Sequence, residues 1–523
     1  MSEAFQDFFG RLRERRYTIR ADLDGQLNRV HRLKVGAEWT WLDLAERGGD
    51  LQSLIFGELF EVDPRIGALY VQDRLDYGDL VIDVGLRVDH WNPNTRFPKF
   101  PGVVPCEISA FDQCSEPATD PLAVLVEGRT RTELAPRIGV AHPITDATQV
   151  RLSYGVFHQL PELRNYFASF NTEFPGNVNQ FYGNPNLDYI ETKAFEAGIT
   201  HLLSENTVLD IVGYNRDRRG AIRLDVFQQD EITTGIGERR IFLNADNGNV
   251  KGVDISLGRR YSNYISTDIA YSLQFARGTT SSPLEFVFGF GSNFDPLNLG
   301  RLLTPPTELS AESFDRTHTF SGQLNLQLPG DFRAGTTIGS ILQDFGVYLV
   351  YNAHSGEPFT RVAIEDGRPR EDFNSSRLPW FHQGDVRVTK GFALGEALGI
   401  EAFLEVINVL DNVNVLRVNP TSGQPDVTGF EEGLSQTPTI PSEFKIEGAP
   451  DGYPIGLDQI MDEFRDEFAR QDLDGDGVIT LAEAQLRLRQ ALQATGSGSF
   501  SNGDSPHNYG EPRQFRFGAE LRF

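Results

Sequence analysis

The stretch LVIDVGLRVDHW, residues 80–91, alternates with a period of two, and its reading decides the fold. Leu80, Ile82, Val84, Leu86 and Val88 fall on one side of an extended chain, opposite Val81, Asp83, Gly85, Arg87 and Asp89. Working outward, TQVRLSYGV (148–156) sets Val150, Leu152, Tyr154 and Val156 against Gln149, Arg151, Ser153 and Gly155. STDIAYSLQF (266–275) repeats the scheme, as do RLKVGAEWTW (32–41) and VKGVDISLGRR (250–260), with Arg32, Lys34, Glu38, Asp254 and Arg260 on polar faces. The chain ends RQFRFGAELRF, with Phe515, Phe517, Ala519, Leu521 and Phe523 on one side.

Strands of this kind suit a soluble sandwich or a membrane barrel. Each runs for about ten residues, the length a tilted strand needs to cross a bilayer. Tight connections at 76–79, 145–148 and 204–207 alternate with long ones at 92–133, 158–190, 277–316 and 411–511. Short turns on one side and long loops on the other mark an outer-membrane barrel. An Arg or Lys facing lipid at mid-bilayer costs roughly 2–4 kcal/mol, so Asp83, Arg151, Arg516 and Glu520 must face a wet interior. The fold class is therefore all-β, an antiparallel transmembrane β-barrel, with roughly fifteen strands legible between residues 15 and 523.

Composition agrees. The 523 residues carry a net charge of −26, which disfavours nucleic acid as a partner and suits cation binding. There is no run of eighteen apolar residues, and MSEAFQDFFGRLRERRYT has no signal-peptide core. No HExxH, CxxC or nucleophile–base pattern appears, so an enzyme is not expected. The two cysteines, Cys106 and Cys114, lie eight positions apart in a proline-containing polar stretch. That placement suggests a local disulfide, with two free thiols as the alternative.

One stretch stands apart. DLDGDGVITLAE, residues 472–483, fits the twelve-residue EF-hand loop. Its Ca²⁺ ligands would be Asp472, Asp474, Asp476, the Val478 carbonyl, Thr480 and Glu483, with Gly477 at the sharp turn. An acidic surface turn is the competing reading. Before the loop, Leu457, Ile460, Met461, Phe464 and Phe468 share a helical stripe, and Leu481, Leu488 and Leu492 follow it. A helix–loop–helix insert over 456–494 is expected, with no second hand to pair with.

ALYVQDRLDYGDLVIDVGLRVDHWNP, APRIGVAHPITDATQVRLSYGVFHQLPELRNYF, GNPNLDYIETKAFEAGITHLLSENTVLDIVGYNRDRRGAI, FLEVINVLDNVNV and YGEPRQFRFGAELRF together resemble a TonB-dependent outer-membrane receptor. The resemblance is to the kind with a carboxypeptidase-regulatory-like N-terminal domain. It implies a plugged barrel of about 22 strands, a TonB box coupling inner-membrane energy to the plug, and uptake of scarce solutes such as siderophores, saccharides or peptides. Roughly fifteen strands then correspond to the C-terminal part of such a barrel, starting near its eighth strand, as a fragment without plug or TonB box. On this reading residues 1–14 are a helical loop remnant, 15–420 the partial barrel, 421–511 an extracellular loop holding the EF-hand, and 512–523 the closing strand. The location is a Gram-negative-type outer membrane, with lipid and a small-molecule or peptide ligand as partners. The TonB system joins them only if a plug is supplied. Loop aromatics Phe157, Tyr166, Phe167 and Phe170 are read mainly as packing or girdle residues. A calcium-ordered surface adhesion barrel and a passive porin are the alternatives.

Overall fold

In the computed structural model the residues described are 8–50, 58–99, 123–168, 181–227, 239–284, 308–361, 370–393, 395, 398–420, 422–425, 445–447, 455–462, 465, 468–470, 472, 475–480, 483 and 508–522. Fifteen long strands follow one another. They are β1 (Phe8–Gln26), β2 (His31–Asp50), β3 (Arg65–Tyr77), β4 (Leu80–Asn92) and β5 (Arg131–Thr145). Then come β6 (Thr148–Gln159), β7 (Ile190–Ser204), β8 (Thr207–Phe227), β9 (Arg239–Ser262) and β10 (Ile265–Gly278). The last are β11 (His318–Gln327), β12 (Phe345–His354), β13 (Phe381–Ala393), β14 (Gly399–Ile407) and β15 (Gln514–Arg522). Each pairs antiparallel with the next from β1 through β15, the meander that short turns allow.

Register carries the alternation across the whole sheet, because residues directly opposite on neighbouring strands share a face. Leu69 lies opposite Val88, Ile138 opposite Tyr154, Ile199 opposite Ile211, and Ile211 opposite Ile255. The same face continues through Ile255–Tyr271, Leu324–Leu349, Val388–Leu404 and Leu404–Phe517. The other face pairs Arg74 with Asp83, Asp254 with Ser272, Arg387 with Glu405, and Glu405 with Arg516. The apolar face is uncovered: Leu69 is 59% exposed and Leu134 60%. An apolar surface spanning fifteen strands far exceeds what a soluble monomer exposes, so its solvent is lipid.

The two ends of the strands differ. At one, connections are tight: residues 27–30, 78–79, 146–147, 205–206 and 263–264. Asn263 and Tyr264 both adopt positive φ (51° and 71°), giving the hairpin its twist-matched turn. Residues 328–344 are the exception at this end. Pro329 and Gly330 interrupt the strand, and a short helix, α2 (Thr337–Leu342), follows, capped by Thr336 Oγ1 accepting the Gly339 N–H at 3.0 Å. At the other end Leu42 and Leu44 of β2, Trp91 of β4 and Leu224 of β8 pack with Phe60 and Phe167 from the connections into one buried core.

The N-terminal expectation needs correction. Residues 8–14 are not helical but the start of β1, in register with β2 from Phe8–Asp50 onward. Helix propensity is worth well under about 1 kcal/mol per residue and yields to an available strand edge. The 456–494 insert also departs at its start: Ile455–Gly456 is a short strand and Leu457–Gln459 a 3₁₀ turn, where an α-helix was expected. Asp462, Arg465 and Phe468 are helical. The described residues divide into two units, one holding the fifteen long strands and the other those of 359–379 and 413–511.

Candidate functional site

The polar face of the sheet is a wall of paired charges. Arg151 grips Asp210 with two hydrogen bonds, 2.8 and 2.7 Å, while Thr200 donates to the same carboxylate at 2.6 Å. Arg216 meets Glu196 at 2.8 Å, and Arg87 meets Asp89 at 2.6 Å. Arg20 holds Asp22 at 2.6 Å, and Tyr70 donates to that carboxylate too. Such pairs are affordable only where water or protein, not lipid, lies against them. The face is therefore a lumen wall with both signs of charge.

At the loop end, β6 parts from β5 above Arg137–Gly155, the last pair they share. Trp91, His158, Tyr166, Phe167 and Tyr189 gather near that divergence. Trp91 and Tyr166 stand 4.9 Å apart between ring centres, and His158 and Tyr189 5.9 Å apart. Tyr166 and Phe167, on α1 (Leu163–Phe167), are fully buried. They pack the loops, as the sequence suggested. Phe157 is 40% exposed with the Arg137 guanidinium 4.4 Å from its ring centre, and Phe170 lies outside the described residues. Arg131 donates through Nε to Asp188 and through Nη2 to the Asn186 carbonyl at 2.5 Å, tying β5 to the chain entering β7. Burial pushes the Tyr166 and Tyr189 hydroxyls well above the usual phenol range.

The calcium-type loop has the turn geometry its glycines allow. Gly475 and Gly477 take positive φ, 77° and 84°. Asp472 accepts the Gly475 N–H on Oδ1 (2.7 Å) and the Gly477 N–H on Oδ2 (2.8 Å). Asp476 accepts the Val478 N–H at 2.8 Å. Thr480 and Glu483 form a capping box: Glu483 Oε2 accepts the Thr480 N–H at 2.9 Å, and the Glu483 N–H donates to Thr480 Oγ1 at 3.3 Å. Asp474, Cys106 and Cys114 lie outside the described residues. Among the described residues no three acidic, His or Cys side chains converge as a cation cage. The donor set nonetheless fits a hard cation. It is all oxygen, and Asp472 keeps a second lone pair on each oxygen.

With wall and loops in place, comparison decides the family. Residues 3–409 match the model of the TonB-dependent receptor-like β-barrel. The chain belongs to that family. Its members are outer-membrane transporters, not enzymes. Among solved structures the outer-membrane transporter YddB of Escherichia coli is similar, with 13% identity and a TM-score of 0.50 over 76% of this chain and 51% of that one. The Serratia marcescens hemophore receptor HasR, solved with the hemophore HasA and heme, has 14% identity and a TM-score of 0.47, covering 78% and 57%. A Pseudomonas aeruginosa ferric enterobactin receptor (PfeA) mutant, solved with enterobactin, has 14% identity and a TM-score of 0.46, covering 77% and 50%. This chain spans about half the length of the structures it matches. No curated protein matches it significantly by sequence.

Proposed function

We propose that this chain forms the barrel wall of a TonB-dependent receptor for energy-coupled uptake of a scarce solute, with a calcium-binding loop facing the medium. The observation that carries the reading is the two-faced fifteen-strand sheet: an unbroken apolar face for lipid and a charge-paired face for a hydrated passage. A siderophore, saccharide or peptide fits such a passage, since a wall bearing both signs suits polar, many-oxygened ligands. Coupling to TonB requires a plug and a TonB box, which the described residues do not include. The loop between β14 and β15 leaves from the end bearing the other long loops, so by topology it lies outside the cell, where calcium is abundant. Bound calcium would neutralise Asp472, Asp474, Asp476 and Glu483 and order that loop. We further infer that Cys106 and Cys114 are bridged, as an oxidising compartment would favour.

The test is ligand binding and uptake by cells carrying the gene with a TonB-competent plug, against cells lacking it. Candidate ferric siderophores, oligosaccharides and peptides are the probes. Saturable uptake abolished by dissipating the inner-membrane proton gradient supports the reading. Gradient-independent, unsaturable leakage supports a passive porin and overturns it.

A further inference from the structure

A lone EF-hand leaves a strand edge without a sister loop, since hands ordinarily pair side by side through the residues around position 8. Here that edge is already taken within the same chain. Val478–Ile479 pairs antiparallel with Ile455–Gly456, Ile455 facing Ile479 and Gly456 facing Val478. The Leu457 N–H donates to the Gly477 carbonyl at 2.8 Å, extending the contact by one rung. Ile455, Ile460 and Ile479 are all fully buried against each other, with Leu457 and Phe468 packed around them. The segment is itself braced. Gln459 Oε1 accepts the Gly456 N–H at 3.2 Å, and Arg465 donates to the Leu457 and Ile460 carbonyls at 3.0 and 3.3 Å.

We propose that residues 455–460 are an in-chain strap replacing the second hand, so that the insert takes up one Ca²⁺ per chain and does not self-associate when it does so. The proposal rests on the calcium reading above and adds the positioning residues to it. The Val478 carbonyl is the position-7 ligand. Its neighbours on both sides are fixed by the strap, Gly477 through its carbonyl and Ile479 through its side chain. The ligand oxygen is then held before the ion arrives, and the ordering cost of binding falls. A sister loop would compete for the same edge, which the strap has closed.

The experiment uses the full chain refolded in detergent together with the strands that precede this region in a full receptor barrel, titrated with CaCl₂ by calorimetry and followed by sedimentation with and without Ca²⁺. Expected are one ion per chain, a Hill coefficient of about one, and unchanged mass. Ile455→Asp, which forces a charge into the buried cluster, should weaken calcium binding by about tenfold or more, while Ile455→Val stays within about threefold. Leu457→Pro removes only the N–H to Gly477 (and the packed side chain) at a position where proline fits the start of a 3₁₀ turn, so it tests the strap if the Asp variant misfolds. It should weaken binding several-fold. Wild-type chain that binds no calcium sinks the calcium reading and the strap with it. Calcium bound with wild-type affinity by both strap variants, or a calcium-driven dimer, overturns the strap alone.

Discussion

Single residues show which face meets which solvent. Val253 and Asp254 are neighbours on β9, yet Val253 lies opposite Leu273 on the apolar face and Asp254 opposite Ser272 on the polar one. With the preceding barrel strands supplied, Val253→Arg should therefore destabilise the folded protein in vesicles by about 2–4 kcal/mol, whereas Asp254→Asn should change it by less than about 1 kcal/mol; urea titration in lipid vesicles checks both. Tyr166 makes a different point. Its hydroxyl is buried with no hydrogen-bond partner among the described residues, so the ring supplies the stability. Tyr166→Phe should be nearly neutral at pH 7, while Tyr166→Ala should cost about 3–5 kcal/mol for the lost ring and its cavity. The raised hydroxyl values give the pH sign: Tyr166 and Tyr189 favour the folded state while protonated. That contribution is complete below the unfolded phenol value, about 10, and fades as pH rises beyond it. Tyr166→Phe should blunt the alkaline loss, read as the pH dependence of loop-cluster fluorescence.

At the scale of elements, the strands were legible and the loops were not. Alternation in 80–91 and 148–156 placed β4 and β6 almost to their ends, because one face meeting lipid along its length leaves a strong period-two trace. The same rule misses β1 at Phe8–Glu14, where charges sit on both sides and only pairing with β2 makes the strand. It also misses the Trp91–Tyr166–Tyr189 cluster, whose members come from β4, α1 and the entry to β7 and meet only through loop folding. A calcium-type spacing can be read locally, but the pairing of Ile455 with Ile479 cannot: Ile455 reads as one more apolar residue until its partner is seen. Glycines carry further element-scale information. A Cβ on Gly252 of β9 would meet the Leu273 carbonyl at 2.4 Å and the Tyr214 hydroxyl at 2.7 Å, whereas at Gly213 of β8 the nearest atom is 4.0 Å away. Gly252→Ala should lower stability by about 1–3 kcal/mol through overpacking, and Gly213→Ala should be neutral or stabilising by up to about 1 kcal/mol. Paired denaturant titrations separate the two.

For the whole molecule, the decisive quantity is what lies beyond the first and last strands. Among the described residues β1 pairs only with β2, and β15 only with β14, so the ladder has two open margins. Both margins are conspicuous in exposure as well, with Leu23 at 72% and Phe517 at 86%, above apolar residues in mid-sheet such as Ile211 at 38%. Each unpaired backbone group left in the hydrocarbon layer costs several kcal/mol, so an edge of about ten residues in lipid outweighs a typical folding free energy of about 5–15 kcal/mol. The sheet therefore needs its margins covered, by further strands or by pairing with another copy. Expressed alone and offered detergent or vesicles, residues 1–523 should give no heat-modifiable band on gels and should be digested by external protease. Supplying the strands that precede this region in a full receptor barrel, on the same or a separate polypeptide, should restore both the band shift and protease resistance. A compact, protease-resistant, heat-shifting species from residues 1–523 in monomeric form would show that the margins close on each other, and the open-ladder argument would fall.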